Sequence, residues 1–422
     1  MKTKKKIIFF EPHMDSLRGH HMDSAIAKSI KLQKFGEIFW LVSNKFNKDH
    51  VNIPNYISVL NVLDTAKRKI SFFKIINTFN TLFLIIKNFF LSMFIIFCLV
   101  KKNNLSWIRI FYFNFFSFPK YLPSIFFSFE NLQITHNDHI IFNSCSDLND
   151  YELAIFLYSY KKQSPTFHLF IRTFPKFKKI RIKNSFYFLK KINKINKLNT
   201  KFNLYAETKE IKNNFYKSFK IKVNLFHDFY LFSSKTSKPK KINIGFFGEA
   251  RKDKGFANYS SLIKSCLKIN SNLNFIIQFS SVPYDLQNAK ENLLNYAYKN
   301  NKIKIITKYL DYFEYRKLLK QIHIVPILHD PKRISQIGSG VIFSCITNEI
   351  PMILPKNNLI KKNFDFKFNS YLEADSIEEY ANKILEIQGN YDYFLNQAKM
   401  EAKYFREKFN NYPFLERIKK SI

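Results

Sequence analysis

The stretch "FFGEARKDKGF", residues 246 to 256, sets two fixed positive charges, Arg251 and Lys254, three residues apart between two glycines. It follows the apolar run "INIGFF", which predicts a strand. It precedes "YSSLIKSCLKI", in which Tyr259, Leu262, Ile263, Cys266 and Leu267 recur at helical spacing. In a parallel sheet such a strand-to-helix turn lies at the carboxyl edge, where helix N-termini carry partial positive charge. A guanidinium there can fork onto two phosphate oxygens, and an ammonium adds a point charge. Gly248 lets the backbone turn away from the strand, and Gly255 admits a close approach at the helix start. The chemistry that fits is the binding of a diphosphate; the plain alternative is a solvated turn in a Lys-rich chain.

A second stretch, "IVPILHDPKRISQIGSGVIFSCITNEIPMILP" (324 to 355), ends a strand in a loop with Asp330 and Arg333, then opens the apolar helix "VIFSCI" with Gly338, Ser339 and Gly340. The free amides of such an N-terminus form another anion cradle, so two cradles at strand ends suit the two phosphates of a nucleotide. Near the N-terminus, Gly19, His20 and His21 lie in a loop where His20 suits contact with phosphate or sugar. Arg172, ending the strand "HLFIR", suits an acceptor cleft. Glu11, Asp15, His139 and His168 read as structural or surface groups. Cys98, Cys145, Cys266 and Cys345 form no CxxC pair, so no disulfide framework and no metal site is expected, and a reducing cytoplasm fits.

These side chains need elements to carry them, and strands alternate with helices along the chain. "KKIIFFEP", a helix from Met22 that stops at Gly36, and "EIFWLVSN" make one βαβ unit. "HIIFNS", a helix in "DYELAIFLYSYKK", "PTFHLFIR" and "FNLYAET" continue it, with a Lys-rich helix before the last. The polar "SSKTSKPKK" from Ser233 reads as a linker, after which strands "INIGFF", "FIIQFS", "KIKIIT", "IVPIL" and "IPMILP" and the helix "DYFEYRKLLKQ" form a second series. The expectation is an α/β protein of two Rossmann-like domains. Residues 1–230 form the first, with an apolar helical insertion near 71–120. Residues 231–405 form the second, and a helix over 406–422 packs back toward the first domain. A length of 422 residues suits two domains.

With 68 Lys+Arg against 32 Asp+Glu, the net charge of +36 favours anionic partners. The charges are spread along the chain without any zinc-finger, zipper or RNA-binding signature, so nucleic acid is not the expected partner. The segment "LFLIIKNFFLSMFIIFCLV", residues 82 to 100, carries one charge, Lys87, and is followed by an aromatic, basic stretch to about residue 119. It reads as an interfacial helix on a membrane surface, as core, or as a span. The N-terminus has too few apolar residues before Glu11 for a signal peptide. The location expected is cytoplasmic, peripheral on the inner face of the plasma membrane.

Three blocks in order resemble the GT-B glycosyltransferases of the retaining "group 1" class. "GFFGEARKDKGF" is similar to the pattern "FLGRxxxEKGF", whose Arg and Lys hold the donor diphosphate; the resemblance implies that role for Arg251 and Lys254. "LHDPKRISQIGSGVIFSCITNEIPMILP" resembles "PYxxxxYxxxSGVFxEAxAxGxPVVxP". "RGHHMDSAIAKSIKLQKFGEIFWLVSN" resembles the Gly-rich opening "GGHxxxxxxLAxxLxxxGHxVxVLT". The resemblance implies two Rossmann-like domains facing each other across a cleft and sugar transfer from a nucleoside-diphosphate sugar to a glycan or lipid-linked acceptor in cell-surface polysaccharide synthesis. It implies no metal and no other cofactor. Gly19, Gly248, Arg251, Lys254, Gly338, Ser339, Gly340 and Ser344 would bind the donor, Arg251, Lys254 and His20 would act in catalysis, and Arg172 would meet the acceptor. The family's pair of glutamates falls on Gln336 and Ser344, and the Gly of its "AxGxP" falls on Glu349, which reads as a surface turn. A non-catalytic relative acting as a binding or partner subunit is therefore the second reading, and a nucleic-acid-binding protein the third.

Overall fold

The structure, a computed structural model, describes residues 4–11, 14, 20–47, 53–63, 128–143, 165–171, 202–219, 222–226, 232–234, 239, 241–330, 339–356, 363–410 and 412–420. The apolar insertion near 71–120, the helix expected at 150–162 and the Lys-rich segment 176–197 lie outside these residues. Two compact units divide the chain. The first is Met1–Glu207, Ile211–Phe226 and Pro413–Ile422; the second is Thr208–Glu210 and His227–Tyr412.

The first unit is built on seven parallel strands in the order β3-β2-β1-β4-β5-β6-β7. They are β1 (Lys6–Glu11), β2 (Glu37–Ser43), β3 (Ile57–Leu63), β4 (His139–Phe142), β5 (Thr166–Ile171), β6 (Phe202–Ala206) and β7 (Asn224–Leu225). β4 and β5 are buried along their whole length, as strands covered on both faces must be, which is why they read as apolar runs rather than as alternation. β3 is an edge strand with only its first and last residues buried, and its mixed "ISVLNVL" gave no strand signal. Helix α1 (His20–Leu32) covers β1 and β2 with Ala25, Ile26 and Ala27, and Trp40 Nε1 donates to Ser29 Oγ at 3.0 Å. On the same helix Lys28 is fully buried. Its Nζ donates to Ser24 Oγ at 2.7 Å and to Asn143 Oδ1, and lies 4.4 Å from the centre of the Phe170 ring.

The second unit repeats the winding. β8 (Asn243–Phe247), β9 (Asn274–Gln278) and β10 (Ile303–Ile306) pair in parallel in the order β10-β9-β8. β11 (Val325–Pro326), β12 (Met352–Pro355) and β13 (Tyr371–Ala374) pair likewise in the order β11-β12-β13. A parallel bridge between Ile244 and Ile324, with Gly245 N donating to Ile324 O at 2.9 Å, sets β8 beside β11. The winding thus leaves β8 in one direction, through β9 and β10, and returns on the other side at β11. That reversal is the place where doubly wound sheets hold ligands.

Between β9 and β10, which the sequence reads as successive strands, stands the helix Gln287–Tyr298. Parallel neighbours need such a crossover. Its single fully buried side chain, Leu293, explains why no periodicity marked it. The helices Ile377–Gly389 and Tyr391–Asn410 complete this unit, the first capped by Ser376.

A polar chain runs through the first unit's core: His139 Nδ1 lies 2.9 Å from His168 Nε2, and His168 Nδ1 lies 3.1 Å from Tyr205 Oη. Phe414, on the short helix Pro413–Lys420, meets His168 edge-on at 5.0 Å. His139 and His168 are thus core groups, joined in a network, and not surface ones. Burial, with the nearby charges of His139 and Arg417, holds the His168 pKa well below its ordinary value, so the folded protein keeps this ring neutral. The unfolded chain takes up that proton near the unperturbed value of about 6.5, so this contribution to stability is complete above that pH and declines below it. Urea unfolding at pH 8, 6.5 and 5 should show stability falling toward pH 5, with a shallower fall in His168→Gln. Equal slopes in the two proteins would remove His168 from the account.

Candidate functional site

The turn after β8 begins at Gly248, whose φ of 108° turns the chain out of the strand. Its amide donates to Gln278 Oε1 at 3.4 Å, and Gln278 Nε2 donates to Lys308 O at 3.0 Å, tying the turn to the strand beside it. A β-carbon on Gly248 would stand 3.4 Å from Lys254 Nζ, so the ammonium lies against bare backbone. A single 3₁₀ turn over Lys252–Lys254 follows, closed by Gly255 at φ 73°. Gly255 has two reasons to be glycine, since a β-carbon there would come within 2.3 Å of Leu328 O. Beyond it Phe256 is buried against Tyr259 and Phe279, which anchors the helix Tyr259–Ile269.

Arg251 is gripped along one edge by Asp253, with Nε donating to Oδ1 at 3.0 Å and Nη2 to Oδ2 at 2.7 Å. Its Nη1 donates to Glu249 Oε2 at 3.1 Å, and Lys254 Nζ lies 3.9 Å from the same oxygen. Bonding to Asp253 raises the guanidinium pKa further, so its charge is permanent. The two carboxylates differ. Asp253 is 19% exposed and binds in the fixed two-point geometry, whereas Glu249 is 61% exposed, which makes it the more weakly held partner. Arg251 and Lys254 are 36% and 16% exposed, so neither extends freely into solvent.

Counted from Gly248, the arginine of the "FLGRxxxEKGF" pattern falls on Glu249 and its lysine on Lys254; Arg251 stands two residues later. The direct positional match of Arg251 to the pattern's arginine is thereby corrected. In the fold the guanidinium reaches back to Glu249, so the positive group returns to the neighbourhood of the position it lacks in sequence.

The loop leaving β11 is fastened to this turn: Leu328 packs on Gly255, and Asp330 N donates to Asp253 O at 2.9 Å. Between them stands His329, a residue the sequence reading passed over although it ends an apolar run. Burial, then the charges of Lys254 and Arg251, push its pKa down to about 3, against an opposing pull from Asp253. Among the described residues no hydrogen bond engages its ring.

Ser339 and Gly340 open the eight-residue helix Gly340–Thr347 on the crossover between β11 and β12. Ser339 Oγ caps it by accepting from Ile342 N at 3.4 Å. Every residue from Val341 to Thr347 is buried, Ser344 included, so the hydroxyl at one glutamate position lies inside the fold. Glu349 is a correction to the surface turn expected there: it is buried, with φ 56°. A left-handed residue is what a glycine supplies between this helix and β12, and holding a glutamate so costs about 1–2 kcal/mol. Gly19, Arg172, Gln336 and Gly338 lie outside the described residues, and His20 is placed only as the first residue of α1. The structure thus brings together Gly248, Arg251 and Lys254, adds Asp253 and His329, and sets Ser339, Gly340 and Ser344 on the next crossover. Among the described residues no three His, Cys, Asp or Glu side chains are grouped to hold a metal ion.

No protein-family model and no curated protein matches the sequence. Solved structures do match the fold. A glycosyltransferase from Rickettsia africae aligns over 99% of this chain and 98% of its own at 14% identity and a TM-score of 0.55. Sucrose-phosphate synthase from Thermosynechococcus elongatus aligns over 96% and 95% at 10% identity and 0.55. The chain has the GT-B glycosyltransferase fold. A third GT-B structure, Anabaena HepE in complex with UDP and glucose, aligns over 96% of this chain and all of its own at 9% identity and a TM-score of 0.55. Not every match is full length, since the chain spans 56% of TarM.

Gly255→Ala should lower unfolding free energy by about 1–3 kcal/mol, because it combines a left-handed φ with a clash against the β11 loop. Chemical denaturation measures this, and an unchanged midpoint would mean that the turn and the loop are not packed together.

Proposed function

We propose that this protein is a glycosyltransferase that takes a sugar from a nucleoside-diphosphate donor, with the donor's diphosphate held by Arg251 and Lys254. The observation that carries the reading is the placement of these two cations, in a glycine-bounded turn, where the strand order of the second unit reverses between β8 and β11. The bound UDP and glucose of the GT-B structure of HepE agree with it. In the proposed reaction the leaving diphosphate gains negative charge as the sugar departs. Fixed cations stabilise that charge without reorganising, so the two residues that bind the donor also lower the barrier. The amides of the Gly340–Thr347 helix and its Ser339 cap add to the same charge, Gly338 and Gly340 are read as donor-binding, and His20 is read as catalytic. This assigns to side chains the role a metal plays elsewhere, and the transfer is read as metal-independent and retaining. The acceptor is a glycan or lipid-linked glycan of a cell-surface polysaccharide, met by Arg172.

Membrane contact through 82–119 belongs to the same proposal, since a basic, aromatic-rich apolar segment suits an anionic lipid surface. Among the described residues no helix is long and apolar enough to cross a membrane. A second reading, a partner subunit without turnover, draws on the buried Ser344 and on Gln336 at the glutamate positions.

Calorimetric titration should show a nucleoside diphosphate, UDP or GDP, binding the full chain, with Arg251→Ala/Lys254→Ala weakening it by about 2 to 4 kcal/mol. Glu249→Gln should instead tighten it, by removing the competing carboxylate. Sugar release from the matching nucleotide sugar should persist in EDTA. Binding without any release or transfer across a donor and acceptor panel would favour the partner-subunit reading.

A further inference from the structure

The reversal point of the second unit has two sides. The β8 side carries Arg251 and Lys254, and the β11 side ends in His329. His329 is held by backbone on both flanks, since Leu328 packs against Gly255 and Asp330 N is bonded to Asp253 O. The charged groups that act on its ring are Lys254 and Arg251, which repel a proton, and Asp253, which attracts one. No hydrogen bond to a described residue uses either ring nitrogen. The imidazole is half-buried, with ring nitrogens unengaged by any described residue, so it stands beside two cations at a strand end with donor and acceptor positions open to a ligand.

We propose that His329 is a third ligand of the donor diphosphate and that its ring takes a proton from solvent as the phosphates arrive. This rests on the reading of the site as a diphosphate site. The reason is electrostatic: the field at the ring is positive in the free protein, and a diphosphate brings at least two negative charges into it. An opposite charge within about 4–6 Å raises such a pKa by about 1–3 units. The ring therefore passes from neutral to protonated on binding, one proton entering from the buffer and one N–H turning to a phosphate oxygen. Donor affinity consequently grows as pH falls, beyond what the ligand's own terminal phosphate contributes. Once the sugar has left, the same N–H faces the more highly charged product.

The test is calorimetric titration of the full chain with UDP and GDP at pH 5.5 and 8, in buffers of different ionisation enthalpy, for wild type, His329→Asn and Arg251→Ala. The expected result is that wild type takes up at least about half a proton more than His329→Asn at pH 5.5. The variant should bind about tenfold more weakly at pH 5.5 and less than about threefold more weakly at pH 8, one pKa unit being tenfold in affinity. Equal proton counts and affinities within about twofold at both pH values, with binding still dependent on Arg251, would overturn the proposal and leave the diphosphate site standing. No binding of either nucleotide to wild type, or binding indifferent to Arg251→Ala, would overturn both. Should His329→Asn not fold, His329→Gln replaces it. Should that also fail, a wild-type proton count no larger than the free nucleotide's own titration predicts overturns the proposal.

Discussion

Two cations held within one short turn repel each other, and the second unit is organised to keep them there. Asp253 fixes the guanidinium of Arg251 at two points, Glu249 bridges toward Lys254, and the turn is pinned by Gly255 against Leu328. From Gly248 to Gly255 the turn carries three positive side chains, Arg251, Lys252 and Lys254, against the two carboxylates of Glu249 and Asp253, so it keeps a small positive excess. Glu249 is the exposed member, whereas Asp253 fixes the direction of the fork.

The same strand winding in both units explains why the candidate residues sit at strand ends. In each unit the chain leaves the first strand in one direction and returns beside it, so the loops after strands one and four diverge around a shared space. In the second unit those loops supply Arg251, Lys254 and His329. In the first unit the corresponding strands end at Glu11 and Phe142, near the buried Lys28 and Asn143. The resemblance places the family's two glutamates at Gln336 and Ser344, so the proposed chemistry leans on the diphosphate end.

The fold class was legible because buried parallel strands announce themselves: "IIFF", "HIIF", "FHLFI" and "IGFF" have no reading other than core, and helices such as Tyr259–Ile269 show their buried face at regular spacing. Edge strand β3 and the helix Gln287–Tyr298 were not legible, since each buries too little apolar surface to leave a period. Within the site, the glycines and cations were visible as types in a turn. Three things were not. The register that sets Glu249 at the pattern's arginine shows its meaning only when Arg251 is seen to reach back. Glu349 breaks a local rule by holding a left-handed φ. His329 gains significance from a neighbour about eighty residues away, a relation that only the β8 to β11 contact creates.

The claim beneath all of this is that the turn after β8 recognises a pair of phosphates and not a base or a sugar alone. Titrating the protein with UDP, GDP and ADP beside their monophosphates tests it most directly. The account predicts that for at least one base the diphosphate binds at least about tenfold more tightly, and that the gap closes when Arg251 and Lys254 are replaced. Equal affinity for mono- and diphosphates, or a gap that survives the replacement, would contradict it.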